Sequence, residues 1–148
     1  MSLKARITED MKTAMRSGEK DRLGLIRMLM AGIKQREVDE RIQLDDTQVL
    51  SVIDKMIKQR KDSVEQFRAG HRDDLADKEA AEIAWLTGYL PAQLSDAELD
   101  ALIKDAIAAT GAASMKDMGK VMGILKPKAQ GRTDMGALSA RIKAALSG

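Results

Sequence analysis

The chain has 148 residues, 44% of them apolar and 32% charged, a balance that fits one or two small folded domains rather than a disordered segment. It contains no cysteine, which excludes disulfide staples, thiolate catalysis and zinc–cysteine sites. Phe67, Trp85 and Tyr89 are its only aromatics, so the core is built from Leu, Ile, Val, Ala and ten Met, a choice that favours helices over sheets.

Four helical runs fill residues 1–90. In the first, Leu3, Ile7, Met11 and Ala14 or Met15 recur at helical spacing, and Ser17-Gly18 closes the run. The second follows Asp21, carries Leu23, Ile26, Met30 and Ile33 on one stripe, and can continue through Glu37 and Glu40 toward Ile42. Asp45 or Asp46 offers an N-cap for the third, which holds Val49, Val52 or Ile53, Met56, Ile57, Val64 and Phe67 and ends at Ala69-Gly70. The fourth begins near Asp73 or Asp74 and carries Leu75, Ala76, Ala80, Ile83, Ala84 and Leu86. Long helices with short connections predict an antiparallel bundle.

Leu90-Pro91 is the best boundary, because proline restrains the residue before it away from helix. After it, Ser95 and Glu98 form a capping-box pattern, with Leu94 and Leu99 as a hydrophobic staple, and the helix runs to Thr110-Gly111. Ser114 is placed to cap the next helix and Asp134 a last short one holding Leu138, Ile142 and Leu146. The expectation is therefore an all-α chain: an N-terminal antiparallel bundle over 1–90, then a small three-helix domain over 91–148.

Net charge is only +2, but it is unevenly placed. Residues 1–90 carry 17 basic and 17 acidic side chains, whereas 111–148 carry 7 basic and 2 acidic. No apolar run approaches the roughly 20 residues needed to span a bilayer, and the first ten residues lack a signal-peptide hydrophobic region. The expectation from these features is a cytoplasmic protein with no membrane partner.

Little in the chain points to catalysis. His71, the single histidine, has no nucleophile, orienter or ligand cluster near it in sequence and reads as an exposed loop residue. Asp73, Asp74 and Asp77 cluster where helix N-termini attract acids, so capping is the expected role and no metal site is predicted. Phosphate-loop and nucleophile-elbow patterns are absent, and no cofactor is expected.

One segment stands apart, Asp117 to Gly136. Gly119 and Gly123 lie one helical turn apart, which costs helix stability. Lys116 and Lys120 form an i, i+4 pair, and a Pro127-containing loop adds Lys126, Lys128 and Arg132, with no Asp or Glu from Gly119 to Thr133. Lysines suit point contacts to phosphates and Arg132 a bidentate one. The glycines admit two readings: packing against a neighbouring helix, or close approach of an RNA backbone. A second set of cations, Lys34 and Arg36 with Lys55, Lys58, Arg60 and Lys61, has acids within a turn and is expected to form intrahelical ion pairs.

The runs I-K-Q-R-E-V-D (33–39), I-K-Q-R-K-D-S-V-E-Q-F (57–67), D-L-A-D-K-E-A-A-E-I (74–83), Y-L-P-A-Q-L-S (89–95) and D-M-G-K-V-M-G-I-L-K-P-K-A-Q-G-R (117–132) resemble the GatB/YqeY family over essentially the whole chain. Lys126-Pro127-Lys128 departs from the Met-Pro-Lys pattern of that family and leaves this stretch more basic. The fold of that family also forms the tail of the B subunit of glutamyl-tRNA(Gln) amidotransferase, and similar domains are appended to some glutaminyl-tRNA synthetases. The resemblance implies a helical bundle followed by a small helical domain, and association with tRNA or a tRNA-bearing enzyme complex. It carries a family-level link to carbon–nitrogen ligase chemistry with glutamine as amido donor, but no catalytic set to transfer. The expected function is a non-catalytic RNA-binding module using Lys116, Gly119, Lys120, Gly123, Lys126, Lys128 and Arg132. The alternatives are an adaptor docking on a synthetase or other partner and, more weakly, an amidotransferase component.

Overall fold

The computed structural model describes residues 2–147, which form seven α-helices and one 3-10 turn, with no strand among them. The contacts divide the chain into two compact units, the first ending at Leu90 and the second beginning at Pro91. No helix among the described residues is long and apolar enough to cross a membrane.

The first unit contains α1 (Leu3–Ser17), α2 (Lys20–Glu40), α3 (Asp46–Ala69) and α4 (Asp73–Thr87). Local chemistry sets most of their ends. The Ser2 hydroxyl accepts the Ala5 N–H at 3.1 Å, and Gly18 closes α1 in the left-handed region at φ 72°. The α2 helix stops at Glu40 because Arg41 turns left-handed (φ 56°) and returns its N–H to the Glu37 carbonyl. Asp45 and Gln48 cap α3 reciprocally, at 2.8 and 2.9 Å.

Cross-helix contacts fix antiparallel neighbours. Between α2 and α3, Arg36 donates to the Gln48 carbonyl, Gly32 faces Val52, and Met28 meets Arg60. Between α3 and α4, Arg60 binds Glu82 while Arg68 meets Asp73 and Asp77. Ile7, Ala14, Leu25, Ile26, Leu29, Ile33, Val49, Ile53, Ile57 and Leu86 are sequestered between the helices with Leu44 and Tyr89. Burying each large aliphatic side chain contributes about 1.5–3 kcal/mol.

Two polar ties hold this unit beyond its apolar core. Tyr89 donates its hydroxyl to Asp10 Oδ2 at 2.6 Å, and Arg6 lies 5.0 Å above its ring. Burial, with the Asp10 carboxylate, pushes the phenol well above its ordinary range, so it stays a donor at any working pH. Glu37, only 9% exposed, accepts from Lys4 Nζ at 2.5 Å and from the Leu44 N–H at 2.8 Å, tying α1 and α2 to the turn before α3. These donors, Lys4 first, hold the Glu37 carboxyl below the usual carboxylate range.

Because its folded pKa is depressed, Glu37 contributes stability that is present above the unfolded value of about 4.3 and lost as pH falls toward the folded one. Acid unfolding followed by circular dichroism is expected to show wild type losing stability below about pH 4.3 faster than Glu37→Gln, which is weaker at neutral pH. Parallel curves for the two proteins would contradict this.

The second unit contains α5 (Asp96–Thr110), a 3-10 turn (Met115–Asp117), α6 (Met118–Ala129) and α7 (Met135–Ser147). Its core is Leu99, Ile103 and Ala106 against Val121, Leu125, Ala129, Leu138, Ile142 and Leu146. The Ser95–Glu98 box caps α5, and Asp134 Oδ1 accepts the Gly136 N–H at 2.8 Å to start α7.

Two details differ from the sequence expectation. Ser114 does not cap a helix: Asp117 reaches back instead, accepting the Ala113 N–H at 3.0 Å, and the chain makes a 3-10 turn first. Lys126, Pro127 and Lys128 form the last turn of α6 rather than a loop. The N–H that proline lacks would have paired with the Gly123 carbonyl, and Gly123 is exposed, so water can take that carbonyl.

Candidate nucleic-acid interface

The buried residues of α6 are Val121, Leu125 and Ala129, so the opposite face of the helix is its outward one. Gly119 and Gly123 lie there. Both are exposed, and a Cβ built on either would meet nothing within 4 Å. No other helix of the second unit packs on them, so packing within that unit does not account for the glycine pair. Each glycine nonetheless costs about 1 kcal/mol of helix stability relative to alanine.

The cations around this bare strip sort by geometry. Gly119, Gly123 and Lys126 follow at steps of four and three residues, which stacks them along one side of α6, and Lys116 stands in the preceding 3-10 turn, three residues before Gly119. Lys120 and Pro127 run alongside, both exposed. Lys116 and Lys126 make no salt bridge among the described residues, and Lys120 only a loose one, 3.9 Å from Asp117. Asp117 is itself held in its charged form, chiefly by the Ala113 N–H. Met115, 41% exposed, adds an apolar contact beside Lys116 that charge-based reading of the sequence passes over.

Two residues of the expected site stand elsewhere. Lys128 leaves the last turn of α6 about 160° round from Lys126, since two residues advance a helix by more than half a turn. Arg132 is a structural clamp. Its Nε donates to the Ala92 carbonyl at 2.9 Å, its own carbonyl accepts the Leu94 N–H at 2.7 Å, and Glu98 lies 4.0 Å from the guanidinium. Gln93 completes the strap by donating to the Gly131 carbonyl at 2.9 Å. Gly131 is left-handed at φ 78°, which only glycine adopts without strain. Segment 91–95 is thereby fastened across the turn between α6 and α7.

The other candidate chemistry resolves into structural contacts. His71 sits exposed in the turn between α3 and α4 with φ 58°. Asp73 and Asp77 pair with Arg68, and Asp74 with Arg72 at 3.2 Å. The Arg72 guanidinium holds the Asp74 carboxyl below its usual range. No group of three or more metal-ligating side chains is assembled among the described residues. In the second basic set, Arg36 pairs with Glu40 four residues on, but Arg60 crosses to Glu82 of α4 rather than pairing within α3.

Proteins similar to this chain include three carrying the name altered inheritance of mitochondria protein 41, mitochondrial. That of Pyrenophora tritici-repentis is 34% identical over 130 residues, covering 86% of this chain and 71% of the relative. That of Lachancea thermotolerans is 38% identical over 105 residues, 68% of this chain and 56% of the relative. That of Kluyveromyces lactis is 38% identical over 86 residues, 57% of this chain and 46% of the relative. The latter two relatives thus carry long stretches outside the matched region.

These names overturn the expectation of a cytoplasmic protein. Family membership is settled by extent as well as by motif. The family model described as Yqey-like protein matches residues 4–146, and the chain belongs to the YqeY-like family.

Proposed function

We propose that the chain is an RNA-binding accessory module without chemistry of its own, presenting the outward strip of α6 to the backbone of a tRNA. The observation that carries this reading is the open glycine pair. Gly119 and Gly123 destabilise a helix whose outer side they leave bare, and no other described element of the second unit covers that side. A sugar–phosphate backbone does, because it can lie against the helix while Lys116, Lys120 and Lys126 reach phosphates on either side. The three aromatics offer little base stacking, so recognition is by backbone and shape rather than by sequence.

Binding of the full chain to unfractionated tRNA, measured beside Gly119→Ala/Gly123→Ala, tests the proposal. The double variant is expected to be more stable, by up to about 2 kcal/mol, and to bind tRNA more weakly. Added stability with unchanged tRNA affinity would overturn the reading, as would wild-type protein that binds no tRNA.

A further inference from the structure

The α2 helix has a second, exposed row besides the one in the core, largely of apolar and small residues with Gln35 among them. Leu25, Ile26, Leu29, Ile33 and Glu37 are buried. Gly24, Met28, Ala31, Gln35, Val38 and, just past the helix end, Ile42 are all exposed. Within the helix, Gly24 to Val38 follow at steps of four, three, four and three residues, the a/d spacing of a coiled-coil seam, and Ile42 lies beyond the turn at Arg41. Met28, Val38 and Ile42, at 58%, 60% and 38%, are among the large apolar side chains this protein leaves most open to solvent. Gly24 lies in the second turn of α2 with nothing within 4 Å of a built Cβ, where alanine would be about 1 kcal/mol better.

Charge follows the same repeat. Lys20, Arg27 and Lys34 stand seven residues apart along one flank of the seam, and all are exposed, as is Arg41 in the left-handed turn that ends the helix. None makes a salt bridge among the described residues; the bridges of α2 run through Arg22, Arg36 and Glu37 instead. Lys34 adds only a through-space pull on Glu37, one turn away. On the other flank stand Gly32 and Asp39, beside a groove of about 640 Å³ between α2 and α3.

We propose that this seam docks an amphipathic helix of a partner protein whose narrow apolar stripe is flanked by Asp and Glu. A stripe only one seam wide suits a helix, whereas a membrane-surface helix carries a broader apolar face. RNA would leave Met28, Val38 and Ile42 without a complement. A second copy fits poorly. Antiparallel α2 helices would set the cation row against itself, and parallel ones would match Lys34 with Asp39 but leave Lys20 and Arg27 without an acid. A flanking row of carboxylates answers the cations, and the exposed Gly24 and Ala31 let the partner's backbone approach.

The test uses a fluorescein-labelled peptide of about three heptads with Leu at a and d and Glu at e and g, and a twin with Lys at e and g. Anisotropy titration with the full chain is expected to give the Glu peptide about tenfold or more tighter binding than its twin. Val38→Asp and Arg27→Glu/Lys34→Glu are each expected to weaken it by about tenfold or more, with unchanged circular dichroism because these positions are exposed. Lys120→Glu/Lys126→Glu is expected to leave it unchanged. Equal binding of both peptides, no binding, or a loss confined to the α6 variant would overturn the proposal. Self-association abolished by Val38→Asp would assign the seam to a second copy instead. Pelleting with phosphatidylglycerol-containing vesicles, or tRNA binding, lost in Arg27→Glu/Lys34→Glu would assign it to lipid or RNA.

Discussion

Replacing Arg60 by Ala is expected to lower the stability of the first unit by about 3–5 kcal/mol, a fall of roughly 12 °C or more in its Tm. Arg60 is 7% exposed and reaches across from α3 to Glu82 of α4 at 2.7 Å, with Glu79 at 3.9 Å. Its remaining donors meet the Met56 carbonyl and the Met28 sulfur. Truncation leaves the Glu82 side chain, 15% exposed, without its counter-charge in a site that water reaches poorly. The pair itself is a weaker asset than that loss suggests, because both ions were desolvated to make it. Arg60→Met/Glu82→Leu is therefore expected to recover to within about 1 kcal/mol of wild type. Thermal unfolding of the three proteins decides the matter. A mild single variant would mean that solvent screens the pair, and a double variant as poor as the single would mean that Arg60 acts through packing of its stem.

Arg60 also marks where sequence reading stops. The helices themselves were legible, because their ends are set by contacts within a few residues: Asp45 with Gln48, Ser95 with Glu98, Gly18 and Gly111 in left-handed closures. Helical spacing then assigns inward faces, as for Leu138, Ile142 and Leu146. What a cation is for depends on partners far off in sequence. Asp62 and Glu65 lie on the same helix as Arg60, yet its partner comes from the next helix, 22 residues on. Arg132 shows this more strongly, since the carbonyl it binds belongs to Ala92, 40 residues earlier. Charge composition grouped Arg132 with Lys116, Lys120 and Lys126, whereas its geometry makes it a strap. Glycine has the converse problem: Gly119 and Gly123 look alike whether a neighbour covers them or not, and only the packing distinguishes the two. The exposed row of α2 was hidden by the stronger stripe of Leu23, Ile26, Met30 and Ile33 on the same helix.

The second large effect concerns salt. If the α6 strip meets an RNA backbone, Lys116→Ala/Lys120→Ala/Lys126→Ala is expected to weaken tRNA binding on the order of 100-fold or more near 0.1 M salt. The slope of log affinity against log salt should flatten by about three, one for each phosphate no longer neutralised. All three lysines are exposed and none has a close acidic partner, so the protein's fold and Tm should be untouched. Lys128→Ala, on the other flank of the helix, is expected to cost much less and to change the slope by about one at most. This contrast separates a defined strip from a diffuse positive field. A field depends on total charge, so any lysine of residues 111–148 would count equally, including the exposed Lys143 of α7. A strip depends on which lysines the glycines align. Equal losses for Lys116→Ala, Lys128→Ala and Lys143→Ala would therefore discard the strip even if tRNA binding itself held. Unequal losses, largest for the residues flanking Gly119 and Gly123, would tie the cost of those glycines to the approach of an RNA backbone.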